Sequence, residues 1–105
     1  MNAKHLKYTL DIQSIIEELE IIKIRVGNDF IVKRAVERDL EIIGEAVKKL
    51  TELDSTIKLS SIKKIIGLRN MISHAYDSIE DELIWAIIQK DIPILEKEIK
   101  SLRDL

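Results

Sequence analysis

The chain contains no cysteine, which removes disulfides, thiolate metal sites and cysteine nucleophiles together. Aromatic residues make up only 4% of it, so the stacking platforms that grip single-stranded nucleic acid are not evident. Charge of one sign is also missing. The formal net charge is −2, which gives no global electrostatic case for binding nucleic acid or an acidic membrane. The longest apolar run, Leu83 to Ile88, is far too short to span a bilayer. The opening Met-Asn-Ala-Lys-His-Leu-Lys leads into acidic and polar residues rather than an apolar signal region. A soluble cytoplasmic protein is expected.

What is present is 46% hydrophobic and 34% charged residues. That balance excludes a disordered chain and suits amphipathic helices. At 105 residues there is room for one domain, residues 1–105, around a single core. From about Leu6 to Val26, apolar Ile12, Ile15, Ile16, Leu19 and Ile22 recur at helical spacing. Gly27-Asn28-Asp29 then offers a stop and a cap within three residues. A connection that short predicts an antiparallel neighbour over about Asp29 to Leu53. In this second helix Val36, Leu40, Ile43, Val47 and Leu50 form a heptad-like seam. Ile42 and Ala46 widen the seam toward burial on two sides. Gly44 sits mid-helix, where glycine costs about 1 kcal/mol against alanine; close approach by another helix would justify it.

Asp54-Ser55-Thr56 breaks the pattern, and Ser60 or Ser61 can cap a third helix containing Ile62, Ile65, Ile66 and Leu68. Lys58, Lys63, Lys64 and Arg69 lie in a stretch to Tyr76 without an acidic residue. It reads either as a solvated face or as a phosphate-attracting patch. Asp77-Ser78-Ile79-Glu80 has the form of a capping box opening a fourth helix. That helix carries Leu83, Trp85, Ile87, Ile88, Ile92, Leu95, Ile99 and Leu102. Pro93 lacks a backbone donor, so the helix should kink or split there. The expectation is an all-α bundle of four main helices.

Chemistry-bearing residues concentrate in Gly67 to Asp77, spaced R-x-x-x-x-H-x-Y at Arg69, His74 and Tyr76. Arg69 could neutralise a phosphodiester in the transition state. His74, with an ordinary pKa of about 6.5, could deprotonate an attacking hydroxyl. RNA carries that hydroxyl itself, at the 2′ position, so the pair could cleave it without a metal. Each residue also has a plainer use: a surface ion pair, a charge favouring the helix dipole, a packed ring with a wet hydroxyl. On one helix Arg69 and Tyr76 share a face, whereas His74 lies about 140° from Arg69. Either the helix ends near His74 and turns it inward, or two chains build a composite site across a symmetry axis.

The segment Arg69-Asn70-Met71-Ile72-Ser73-His74-Ala75-Tyr76 resembles the signature of HepT-like toxins in the HEPN superfamily. Ala35-Val36-Glu37-Arg38, with Leu40 through Ala46, is similar to that family's second helix. Trp85 and Ile92-Pro93-Ile94-Leu95 are similar to its last. The resemblance implies a HEPN-type helical bundle, commonly a homodimer whose motifs meet at a shared cleft. It implies a metal-independent endoribonuclease needing no cofactor, with Arg69 and His74 as the catalytic pair and Asn70 in support. Its partner would be a minimal nucleotidyltransferase antitoxin of the MntA-like kind, which transfers AMP to the motif tyrosine, here Tyr76. An anionic adenylyl group there would fill the cleft and repel RNA. Glu45 would face the cleft or solvent. The alternative is a non-catalytic module that binds nucleotides or a partner.

Overall fold

The computed structural model describes residues 2–24, 30–74 and 81–103. Every regular element among them is helical: α1 (Ala3–Ile24), α2 (Phe30–Leu53), α3 (Ile62–His74) and α4 (Asp81–Ala86). A π-helical turn, Ile87–Asp91, then leads into α5 (Ile92–Arg103). The all-α bundle is as the periodicity predicts. The expected turn at Gly27-Asn28-Asp29 and the capping box at Asp77 lie outside the described residues.

α2 packs against both α1 and α3, because its apolar surface is wider than one stripe. Val36, Leu40, Ile43, Val47 and Leu50 are all buried, and so is Ala46. α1 runs antiparallel to α2: His5 Nε2 meets Asp54 Oδ2 at 3.1 Å, joining the start of one helix to the end of the other. Ile12, Ile16 and Leu19 of α1 complete that side of the core. After α2, Asp54 closes a side-chain turn, its Oδ1 accepting from the Thr56 amide at 3.0 Å and hydroxyl at 2.6 Å. The segment that follows is not a solvent loop, since Ile57 and Leu59 are buried.

Ser61 does stand at the start of α3, but its side chain is not the cap. Its hydroxyl donates to Asp91 Oδ1 at 2.6 Å, in the interior. Ser60 instead receives the Glu98 carboxylate, which accepts from its amide and its hydroxyl. These contacts tie the start of α3 to the last helical segment.

Beside Pro93 the last helix changes type without a gap: residues 81–103 are helical throughout, and the π turn falls just before the proline. The Ile92 amide reaches the Ile87 carbonyl, the wide i to i−5 bond of a π turn. Pro93 then occupies the first turn of α5, where an amide donor is not needed. Of the apolar residues in α4, Leu83 is 39% exposed while Ile84 is buried. Among the described residues, no helix is long and apolar enough to cross a membrane.

Candidate active site

α2 and α3 cross antiparallel, and their facing side chains pair in register. Glu41 and Glu45 stand one turn apart on α2; Ser73 and Arg69 stand one turn apart on α3. Ser73 donates its hydroxyl proton to Glu41 Oε2 at 2.5 Å. Arg69 Nη2 lies 2.6 Å from Glu45 Oε2. That carboxylate oxygen is buried and makes no hydrogen bond, so the contact is one of charge, off the N–H axis. Arg69 Nη1 donates to Asn70 Oδ1 at 2.9 Å. Arg69 Nε is buried without an acceptor, a cost of about 1–3 kcal/mol unless a ligand satisfies it.

Gly44 makes this crossing possible. A Cβ there would overlap Arg69 Cβ, press on Arg69 Cγ at 3.0 Å and approach the Ile65 carbonyl at 3.2 Å. The mid-helix glycine therefore has the expected reason, an approaching helix. On the other side of Glu45, α1 and α2 border a cavity of about 400 Å3 lined by Tyr8, Ile15, Ile42, Ala46 and Lys49, with Glu45 on its wall. Glu45 thus faces a cleft while it holds the arginine.

His74 is the last described residue of α3 and is exposed. Because α3 is continuous from Arg69 to His74, the two side chains leave the axis about 140° apart. Arg69 is held against α2, whereas His74 and Asn70 are on the solvent side. The imidazole is not turned inward. Tyr76 lies outside the described residues. Glu41 and Ser73 were not singled out from the sequence; the fourfold spacing of Glu41 and Glu45 beside Gly44 was the available signal. Among the described residues no three His, Asp or Glu side chains gather to hold a metal ion.

The helical bundle and its arginine–histidine helix define a class that comparison with known proteins makes specific. The model of the family described as ribonuclease HepT-like matches residues 6–102. The chain belongs to this HepT-like ribonuclease family. A protein of Caldanaerobacter subterraneus subsp. tengcongensis, named as a candidate RNase, is 37% identical over 101 residues, covering 87% of this chain and 89% of the relative. A candidate RNase of Methanocaldococcus jannaschii is 37% identical over 75 residues, 70% of this chain and 68% of its own. A protein of Thermococcus cleftensis named as a candidate ribonuclease HepT is 29% identical over 109 residues, 98% of this chain and 99% of its own. No solved structure matches.

Proposed function

We propose that this chain is the toxin of a toxin–antitoxin pair and a metal-independent endoribonuclease, with Arg69 and His74 as its catalytic pair. The observation that carries the reading is the fixed Arg69, gripped by Glu45 and Asn70, on the same helix as an exposed His74. In this reaction His74 takes the proton of an RNA 2′-hydroxyl, whose oxygen attacks the adjacent phosphorus. Arg69 stabilises the added negative charge on the phosphoryl oxygens. The bond to the 5′-oxygen breaks, and that oxygen leaves with a proton, producing a cyclic phosphate and a 5′-hydroxyl end.

Since one α3 points its arginine and histidine in different directions, the complete site uses two copies of the chain. Each copy supplies a group that the other's cleft lacks. Exposed Met71, 47% accessible and beside Asn70 and His74 on α3, supports a contact on this surface. Silencing by a nucleotidyltransferase antitoxin, through AMP transfer to Tyr76, accords with the placement of Tyr76 one heptad beyond Arg69. An adduct of AMP mass on Tyr76 after co-expression with an MntA-like nucleotidyltransferase is expected; its absence counts against that regulation.

The test is RNA cleavage in EDTA by wild type beside His74→Ala. Cleavage by wild type alone supports the reading. No cleavage by either, on varied RNAs and with Tyr76 unmodified, favours a non-catalytic nucleotide- or partner-binding module.

A further inference from the structure

The start of α3 and the π turn border a second, open cavity, of about 460 Å3, whose lining includes Lys63, Lys64 and Lys90. All three are exposed, and none has an ion-pair partner among the described residues. The single carboxylate in the lining, Asp91, is 3% exposed and accepts the Ser61 hydroxyl at 2.6 Å. Glu98, close by, is bound by Ser60. Three ammonium groups at one mouth repel one another and give the isolated fold no stability. An anion bridging them would reverse the sign of that interaction. The buried Ser61–Asp91 bond sets the arrangement in advance, because it joins the segment carrying Lys63 and Lys64 to the turn carrying Lys90.

The cavity is also in line with the candidate site. Lys63 and His74 are eleven residues apart on one helix, so they share a face to within about 20° and are separated by roughly 16 Å along the axis. Asn70 lies on the same stripe, and all three side chains are exposed. Resting on the ribonuclease reading above, we propose that the Lys63–Lys64–Lys90 cavity holds the phosphate backbone of single-stranded RNA several nucleotides from the bond at His74. RNA is favoured over an acidic protein segment because the lysines continue into the stripe that ends at His74.

The test uses a fluorescent single-stranded oligouridylate long enough to reach from the cavity past His74, bound to His74→Ala protein over a salt series. Adding Lys63→Ala/Lys64→Ala/Lys90→Ala should weaken binding at least about tenfold at low salt. It should also flatten the slope of log affinity against log salt by about 2, the value for three lost phosphate contacts. The triple arginine variant should restore both, and Lys4→Ala/Lys48→Ala/Lys100→Ala should change affinity less than about threefold. Circular dichroism checks that each variant is folded. Equal loss in both alanine triples, an unchanged slope, or no RNA binding before the lysines are removed overturns the proposal. Wild-type cleavage is scored separately. Cleavage with no effect of the triple rejects the cavity alone, whereas loss of binding without any wild-type cleavage rejects the ribonuclease reading alone.

Discussion

Gly44 and Arg69 occupy one point in space from two helices: the glycine's missing methyl group is where the arginine's Cβ and Cγ lie. The helix that carries Arg69 can approach α2 only because that position is bare. Once there, the guanidinium falls within reach of Glu45, one residue further along α2.

Gly44→Ala should therefore destabilise the fold despite alanine's better helix propensity. Propensity favours the variant by about 1 kcal/mol, but overpacking typically costs about 1–3 kcal/mol. Backbone atoms of α3 cannot swing aside as a side-chain tip could. Thermal unfolding followed by circular dichroism should show a lower midpoint, with weaker RNA cleavage because α3 is pushed away.

Gly67→Ala should have the opposite sign. A methyl at Gly67 meets nothing within 4 Å, so only helix propensity acts, and stability should rise by up to about 1 kcal/mol. Urea denaturation measures the difference. A rise in stability joined to a loss of cleavage would mean that a second copy or RNA approaches α3 at this point.

Glu45→Ala should separate stability from activity. The Glu45–Arg69 pair is partly exposed, and such pairs contribute about 0–1 kcal/mol. Cleavage should fall about tenfold or more as Arg69 loses its anchor, with Glu45→Gln intermediate. Kinetics and melts on the same preparations check this.

Ser61→Ala should cost about 1–3 kcal/mol, since it leaves the buried Asp91 carboxylate without its donor. Ser60→Ala, at an exposed position, should cost less. Denaturant midpoints compare the two.

Asp39 makes stability depend on pH. Burial, then the negative charge of Glu18, raise its carboxyl from 3.8 to about 6 in the folded chain, with Arg38 opposing. The native state therefore holds the proton more tightly than the unfolded state. The associated stability is fully present below about 4 and is lost as pH rises through about 6. Wild type should lose on the order of 1 kcal/mol relative to Asp39→Asn between those limits. Urea melts of both proteins across that range measure it, and Glu18→Gln should shift the loss to lower pH.

Much of this protein follows from local pattern. The seam from Val36 to Leu50 repeats every turn of one helix, so its burial is visible as period alone. Pro93 lacks an amide hydrogen whatever surrounds it, and the π turn of the last helix appears next to it. Other features depend on which helices meet and at what register. Glu45 could have faced solvent until Gly44 let α3 come close enough to present Arg69. Ser61 looked like a cap until packing placed Asp91 within 2.6 Å of its hydroxyl. Lys90 joined Lys63 and Lys64 only when the π turn came against the start of α3. Periodicity states which face of a helix is apolar; it carries no information on the partner or the offset, and those pairings are set by packing between residues distant in the chain.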